Sequence, residues 1–261
     1  MDELKNSTDL VDIDKLADIS IKAGAKIMEI YAYTDFSTIV DFKSDSSPLT
    51  LADKEANKII EESLRELYPF PIISEEGKTI PYELRHAWNE FWLVDPLDGT
   101  KEFIKRNGEF TVNIAFMQNN RPVIGIIYAP VLEVLYVGIV GKGAYKVEAG
   151  VKSSIKTNQK KTQLIAVGSR SHASPEDESV LKNYDIIDKT SIGSSLKFCL
   201  VAEGKADIYF RSGPTMEWDT AAGQAILEAA GGKMYNQSGK EFMYNKESLL
   251  NGGFLCTGWN S

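Results

Sequence analysis

The chain has 261 residues, of which 43% are hydrophobic, and it carries a formal net charge of −8. This length allows one large core or two tightly joined halves. The acidic balance argues against sequence-independent binding to nucleic acid, which requires a basic face. No run approaches the roughly 20 apolar residues of a membrane-spanning helix, and the polar start of the chain does not resemble a signal peptide. Two cysteines in apolar surroundings are expected to stay reduced, which suits the cytoplasm.

Apolar spacing predicts two helices in the first part of the chain, at about 10–33 and 51–68, because apolar side chains recur every three or four residues. A short strand is predicted between them at 39–42. Thr50 and Asp53 fit a capping box at the start of the second helix. The same position would also suit an acid that activates water, so the sequence leaves both interpretations of Asp53 open.

Two predicted strands end in acidic residues. The short buried strand predicted at 72–74 is followed by Glu75, and the apolar run 91–94 is followed by Asp95. Acids at strand ends are usually solvated, so neither residue alone indicates a ligand site. If the two strands are neighbours in a sheet, however, both carboxylates converge on one edge of it.

The strongest chemical signal is the Asp-Pro-Leu-Asp-Gly-Thr sequence that begins at Asp95. Pro96 is expected to end the strand and force a turn, and Gly99 lets the backbone approach a ligand closely. The amides that follow lie at a predicted helix start, where an anion is favoured. Asp95 and Asp98 beside an anion site require a cation between them, and the simplest solution is Mg²⁺ bridging carboxylates and a phosphate. The alternative is a strand-end acid and a helix-capping acid without a ligand.

The remaining elements suggest two halves, 1–155 and 156–261, joined through a polar, lysine-rich segment. In the first half, successive strands predict a largely antiparallel sheet, at about 110–117, 123–128, 134–139 and 144–147, with a tight turn at 119–122. In the second half, strands alternate with helices, which indicates an α/β arrangement. The strands are predicted at about 164–167, 186–187, 207–210 and 254–257, and the helices at 174–183, 194–203 and 218–230. The fold class is therefore mixed α/β.

Two features of the second half carry chemistry. Asp219 lies in the first turn of the last predicted helix, where an acid is common without any ligand. The Gly-Pro loop before it would aim this helix end at a ligand. Ser194 and Lys197 are predicted one turn apart on a helix, and Arg211 ends the next strand. The two cations would hold a second phosphate on an acidic protein, and two unrelated surface cations are the alternative.

These residues together resemble the inositol monophosphatase family of metal-dependent phosphomonoesterases, over nearly the whole chain. The resemblance rests on Ser-Glu-Glu at 74–76, on the acidic sequence at 95–100 and on Trp-Asp at 218–219. Within the family, the Lys-Glu-Phe continuation at 101–103 and the sequence at 213–223 are similar to the bacterial 3′(2′),5′-bisphosphate nucleotidases. The resemblance implies a layered α/β/α/β/α sandwich.

The resemblance also implies roles for individual residues. Oxygen donors would hold two or three Mg²⁺ ions, and they are Glu75, Asp95, the carbonyl of Leu97, Asp98 and Asp219. Asp53 would work with Thr100, and either this pair or Glu75 would accept the proton of the attacking water. The substrate would contact residues from both halves, namely Leu97, Asp98, Gly99, Thr100, His172, Ser194, Lys197, Arg211 and Asp219.

The implied activity is Mg²⁺-dependent removal of the 3′-phosphate from adenosine 3′,5′-bisphosphate or from its sulfated form, which gives AMP or adenylyl sulfate. The partner would be this small nucleotide of sulfur metabolism rather than a nucleic-acid polymer, and sensitivity to lithium is implied as well. We expect a cytoplasmic monomer or homodimer, with or without peripheral contact with the inner membrane. Inositol or sugar monophosphatase activity is the nearest alternative. An inactive metal- or nucleotide-binding module is an alternative of another class, which would be expected to lack one of the five acids.

Overall fold

The computed structural model describes residues 7–32, 40–42, 48–171 and 174–259. After a 3-10 turn at Ser7–Asp9, the helices are α1 (Ile13–Tyr31), α2 (Leu51–Leu67), α3 (Tyr82–Arg85), α4 (Thr100–Ile104), α5 (Pro175–Leu181), α6 (Leu196–Ala202) and α7 (Glu217–Ala229). The strands are β1 (Val40–Phe42), β2 (Pro48–Thr50), β3 (Ile72–Ser74), β4 (Glu90–Asp98), β5 (Thr111–Gln118), β6 (Arg121–Ala129), β7 (Val134–Ile139), β8 (Gly143–Glu148), β9 (Val151–Ile155), β10 (Leu164–Ser169), β11 (Ile186–Ile192), β12 (Ile208–Arg211), β13 (Thr215–Met216), β14 (Lys233–Asn236), β15 (Leu250–Asn251) and β16 (Phe254–Thr257).

The first large sheet contains seven strands in the order β3-β4-β5-β6-β7-β8-β9. Only β3 and β4 run parallel among these pairs, so the prediction of a largely antiparallel sheet is confirmed. Asn119 and Asn120 both adopt positive φ, which produces the tight turn between β5 and β6. The apolar faces of α1 and α2 cover one side of this sheet and pack on alternate residues such as Trp92 and Phe116.

The middle layer consists of α6 and α7, which pack on the other side of the seven-stranded sheet. Two glycines allow α7 to approach closely. A Cβ atom at Gly125 would lie 2.2 Å from the carbonyl oxygen of Ala222, and one at Gly138 would lie 2.4 Å from Cα of Ile226. These contacts hold α7 against the sheet that carries the acidic strand ends.

The second large sheet has five strands in the order β11-β10-β12-β16-β14. Strand β10 pairs in parallel with β11 and β12, whereas β16 pairs antiparallel with β12 and β14. Its inner face contacts α6 and α7, and its outer face packs on α5 through residues such as Leu181, Ile208 and Phe210. The layers thus follow the order α/β/α/β/α, which confirms the implied fold.

Pro96 does not end its strand, contrary to the prediction. Strand β4 continues to Asp98, which pairs with Thr111, and the pairing register shifts between Asp95 and Asp98. Because proline lacks a backbone N–H, it is tolerated where a bulge interrupts the hydrogen-bond ladder. The bulge leaves both aspartates at the end of the same strand.

The segment predicted as the polar boundary contains β9, which pairs with β8 at the edge of the first sheet. Four of its five residues are exposed, so an apolar pattern could not indicate it. The chain passes from the first large sheet to the second between Ile155 and Leu164. The division into 1–155 and 156–261 stays a prediction. None of the described helices combines the length and the apolar character needed to cross a membrane.

Candidate active site

The acidic ends of β3 and β4 lie side by side. The two strands are parallel with Ser74 opposite Val94, and the backbone N–H of Glu75 donates to the carbonyl of Val94 at 3.1 Å. The residues that follow each apolar run, Glu75 and Asp95, therefore reach the same edge of the sheet. The expectation that these two carboxylates converge is confirmed.

A third carboxylate comes from the second half of the chain. Asp219 lies in the first turn of α7, where its Oδ2 accepts a hydrogen bond from the N–H of Met216 at 2.8 Å. One carboxylate oxygen from each of Glu75, Asp95 and Asp219 lies within 4.8 Å of the others. Three acids that are far apart in sequence thus form one cluster.

The acidic cluster is electrostatically unfavourable by itself. Asp95 is 1% exposed, and burial raises its pKa well above the usual range, with further increases from the charges of Glu75, Asp98 and Asp219. Burial also raises the pKa of Asp219, and the charges of Asp98 and Glu75 add to this. A cation among the carboxylates would relieve the repulsion. Carboxylate oxygens are the donors that Mg²⁺ prefers, so these residues fit a divalent cation.

Asp98 lines the same cavity and is connected through hydrogen bonds to the start of α6 and to the first turn of α7. Burial raises its pKa, while the charge of Lys197 and the polar groups of Ser195 and Asn113 oppose the shift. The amide of Asn113 donates to Asp98 at 3.4 Å and to Ser195 Oγ at 3.0 Å, and Ser195 Oγ donates to the carbonyl of Asp219 at 2.8 Å. Sequence reasoning missed Asn113 and Ser195. The available signal was a carboxamide in the middle of the otherwise apolar run of β5.

Asp53 caps the start of α2 and also accepts a hydrogen bond from Thr100 at the start of α4. Its Oδ2 accepts a hydrogen bond from the N–H of Thr50 at 2.8 Å, and its Oδ1 accepts one from the hydroxyl of Thr100 at 3.2 Å. Burial raises the pKa of Asp53 to about 6, opposed by the bonds from Thr50, while the charges of Glu76 and Glu75 add to the increase. The capping interpretation is therefore confirmed, whereas the role of Asp53 as an acid that activates water stays a prediction.

The backbone between Asp98 and α4 forms one wall of the cavity, to which Leu97, Gly99 and Thr100 contribute. The hydroxyl of Thr100 is also 3.4 Å from the carbonyl oxygen of Leu97. Gly99 has φ 95°, and a Cβ atom there would lie 3.1 Å from the carbonyl oxygen of Glu109. Both the conformation and the space therefore favour glycine at this position.

The basic side of the cavity contains Lys197 and Arg211, as predicted from their spacing. Lys197 is 5% exposed. Burial, together with the charge of Arg211, lowers its pKa to about 8, although the charge of Asp98 opposes this shift. Arg211, at the end of β12, donates to the carbonyl of Pro214 at 3.4 Å. Among the described residues, neither Nε of Arg211 nor Oγ of Ser194 has a hydrogen-bond partner, although both atoms are buried.

Ser194 does not lie on the same helix as Lys197, so that part of the prediction is wrong. Helix α6 begins at Leu196, and Ser194 precedes it with φ 46°. The two residues still meet, because the ammonium of Lys197 donates to the carbonyl of Ser194. His172 lies outside the described residues, and its predicted contact stays a prediction.

The acidic and basic sides share one cavity of about 280 Å³. Its apolar part consists of Phe198, Tyr209 and Phe254, whose ring centroids are 5.3 to 5.7 Å apart. Sequence reasoning assigned these rings to predicted elements but not to the site, because aromatic residues in apolar runs are typical of a core. The cavity thus combines clustered carboxylates, two cations of which Lys197 is buried, and an aromatic floor.

The chain is similar in sequence and in structure to known proteins. The model of the Inositol monophosphatase family matches residues 9–258. The chain is 48% identical over 244 residues to the 3′(2′),5′-bisphosphate nucleotidase CysQ of Escherichia coli K12, which covers 93% of this chain and 98% of the relative. The crystal structure of CysQ from Bacteroides thetaiotaomicron is 44% identical, with a TM-score of 0.85 over 99% of this chain and 100% of that chain. The IMPase of Thermotoga maritima has the same fold at 23% identity, with a TM-score of 0.77 over 94% of this chain and 91% of that chain.

Proposed function

The chain belongs to the Inositol monophosphatase family, and we propose that it is a Mg²⁺-dependent 3′(2′),5′-bisphosphate nucleotidase. It removes the 3′-phosphate of adenosine 3′,5′-bisphosphate, or of its sulfated form, and releases AMP or adenylyl sulfate. The observation that carries the proposal is the cavity in which a carboxylate cluster, the buried Lys197 and the half-buried Arg211 lie together. The 48% identity to a nucleotidase of this name supports the choice of substrate. The cytoplasm is the proposed compartment, and a monomer or a homodimer is the proposed assembly.

The acidic cluster is the proposed metal site. The groups that would hold two or three Mg²⁺ ions are Glu75, Asp95, the carbonyl of Leu97, Asp98 and Asp219. When bound, divalent cations lower the pKa of water and neutralise the charge of the phosphoryl group. The crowding of carboxylate oxygens within 4.8 Å supports this assignment.

Asp53 and Thr100 are proposed to accept the proton of the attacking water. The hydroxyl of Thr100 is oriented by Asp53, so a proton taken up at Thr100 can pass to the carboxylate. The raised pKa of Asp53, about 6, suits a base that works near neutral pH. Glu75 is the other candidate base. The oxygen of water bonds to phosphorus, the bond to the 3′ oxygen breaks, and that oxygen leaves with a proton.

The basic side is proposed to bind the second phosphate, and we call Ser194, Lys197 and Arg211 the second-phosphate clamp. Two of its donors, Oγ of Ser194 and Nε of Arg211, are buried without a partner among the described residues. A substrate with one phosphate would leave these donors unpaired, which costs binding free energy. A nucleotide with a 5′-phosphate would pair them through charge-assisted hydrogen bonds. The clamp therefore favours a bisphosphate over an inositol monophosphate.

A side-by-side assay of phosphate release tests the proposal. Purified protein with Mg²⁺ is compared on adenosine 3′,5′-bisphosphate, inositol 1-phosphate and fructose 1,6-bisphosphate, with a chelator as the control. We expect kcat/KM for the nucleotide to exceed the other two values by at least about tenfold, equivalent to about 1.4 kcal/mol. A preference for the inositol or sugar substrate would support the alternative within the family. Absence of release from all three would support the inactive module.

A further inference from the structure

An ion pair outside the cavity joins the ends of the two large sheets. Arg170 follows β10, and its Nε and Nη2 donate to the carboxylate of Glu109, just before β5, at 2.5 and 2.7 Å. Nη2 of Arg170 also donates to the carbonyl of Ser191 at 2.9 Å. The Arg170 side chain is 46% exposed, and ion pairs this exposed contribute little to stability. Its position between the two sheets suggests another role.

Glu109 also fixes the turn that follows β11. Its Oε2 accepts a hydrogen bond from the backbone N–H of Gly193 at 2.8 Å. A Cβ atom at Gly193 would lie 2.7 Å from the carbonyl oxygen of Glu109, so the turn packs closely on this residue. The next residue, Ser194, has φ 46°, and its Cβ lies 3.3 Å from where a Cβ at Gly99 would be. Glu109 thus holds a strained turn against the cavity wall.

This turn determines where the Lys197 ammonium lies. The carbonyls of Ile192 and Ser194, on either side of Gly193, both accept hydrogen bonds from Nζ of Lys197, the former at 3.5 Å. A lysine head group on a flexible four-carbon stem takes its position from such acceptors. A shift of Gly193 would move both carbonyls, and the ammonium and the Ser194 hydroxyl with them.

We propose that Glu109, oriented by Arg170, is a positioning residue for the second-phosphate clamp and sets the discrimination between nucleotide bisphosphates and monophosphates. The inference rests on the proposed function, because it requires Lys197 to bind the second phosphate. Neither Glu109 nor Arg170 lines the cavity. Their effect is therefore transmitted through Gly193, with the charge of Glu109 also acting on Lys197, rather than through contact with the substrate.

Steady-state kinetics of Glu109→Ala on adenosine 3′,5′-bisphosphate and on 3′-AMP tests this proposal. We expect KM for the bisphosphate to rise about tenfold, equivalent to about 1.4 kcal/mol of binding free energy. The kcat for the bisphosphate and the kcat/KM for 3′-AMP should both stay within about twofold of the values for the unsubstituted protein. The reason is that the lost interaction serves only the second phosphate. Glu109→Gln retains an acceptor for the Gly193 N–H and should recover most of the lost affinity.

Two further variants separate positioning from a general ion-pair effect. Glu178→Ala removes the exposed pair between Lys189 and Glu178 in the same half of the chain, and it should leave both substrates unchanged. Exchanging the partners, as Glu109→Arg with Arg170→Glu, restores an ion pair but places a donor against the Gly193 N–H. Because positioning needs an acceptor there, the exchange should not restore affinity, and full recovery would overturn the proposal.

Lys197→Met distinguishes failure of this inference from failure of the proposed function. If Lys197→Met does not raise KM for the bisphosphate, the second-phosphate clamp itself is wrong. If Lys197→Met raises it and Glu109→Ala does not, or if Glu109→Ala impairs both substrates equally, the positioning role is wrong. Should Glu109→Ala fail to fold, Arg170→Met carries the same test, since Glu109 then loses the partner that orients it. A selective rise in KM for the bisphosphate supports the proposal, and any other result contradicts it.

Discussion

The two sides of the cavity are built in different ways. The acidic side takes its carboxylates from strand ends and from the first turns of α2 and α7, so the backbone of regular elements sets their positions. The basic side depends on a turn before α6, where Ser194 has a positive φ and the Lys197 ammonium contacts backbone carbonyls. The acidic charges repel one another, whereas the Lys197 ammonium has polar partners. The acidic side is thus suited to binding cations. On the basic side, the position of the Lys197 ammonium depends on residues outside the cavity.

The largest expected effect comes from the acidic side. Asp95→Asn should lower kcat by about 1,000-fold or more, because a metal ligand is lost where metal charge carries most of the stabilisation. The midpoint of thermal unfolding without metal should not fall, since the substitution removes a buried charge from a repulsive cluster. Phosphate release and a circular-dichroism melt measure the two quantities. Asp188→Asn, an exposed acid on β11, is the control, and normal turnover of Asp95→Asn would remove this residue from the site.

Loss of the hydrogen bond between Thr100 and Asp53 should have the next largest effect. Thr100→Val removes the hydroxyl that donates to Asp53 at 3.2 Å and should lower kcat by roughly 100-fold, in the range of a lost proton acceptor. KM should change little if the pair acts on the proton rather than on binding. Thr257→Val, which removes a buried hydroxyl that donates to the carbonyl of Trp259 outside the cavity, shows how much a lost buried hydroxyl costs by itself. A Thr100→Val enzyme with unchanged kcat would leave Glu75 as the base.

A smaller and more selective effect is expected on the basic side. Arg211→Met should raise KM for adenosine 3′,5′-bisphosphate by about 10- to 30-fold, the value of one charge-assisted hydrogen bond. The kcat/KM for 3′-AMP should stay nearly constant, because this substrate lacks the phosphate that the arginine binds. Arg65→Met, at the exposed pair with Glu61 on α2, is the matched control. Equal losses on the two substrates would show that Arg211 does not distinguish the second phosphate.

The last expected effect is a change in stability on metal binding, which is measured without turnover. Addition of Mg²⁺ at about 100 times its dissociation constant should stabilise the unsubstituted protein by about 2.7 kcal/mol. This corresponds to a rise of several degrees in unfolding midpoint. Asp95→Asn should show little of this rise, whereas Arg211→Met should show all of it. The same rise in both variants would mean that Mg²⁺ binds elsewhere.

Much of the acidic side could be predicted from the sequence because its signals are local. Buried strands were indicated by short apolar segments, and Glu75 and Asp95 directly follow two of these segments. Apolar residues at helical spacing indicated α1 and α2. The bulge that carries β4 through Pro96 could not be predicted, because a bulge depends on the partner strand. The exposed strand β9 was missed since an edge strand does not require an apolar pattern.

The basic side was harder to predict because its contacts join distant segments. The spacing of Lys197 and Arg211 indicated two nearby cations, but not the turn that positions one of them. Glu109 contacts Gly193 across 84 residues, and Asn113 contacts Ser195 across 82. Such pairs become visible only when the two sheets are placed against α6 and α7. The aromatic floor is a similar case, since Phe198 and Phe254 have the composition of ordinary core residues.

The most direct test of the acidic site is a crystal structure of the protein grown with Mn²⁺, which accepts the same oxygen ligands as Mg²⁺ and scatters anomalously. We predict anomalous peaks in contact with the carboxylates of Glu75, Asp95 and Asp219, and loss of at least one peak in crystals of Asp95→Asn. Mn²⁺ bound only away from these three residues, or the same peaks in Asp95→Asn, would contradict the account.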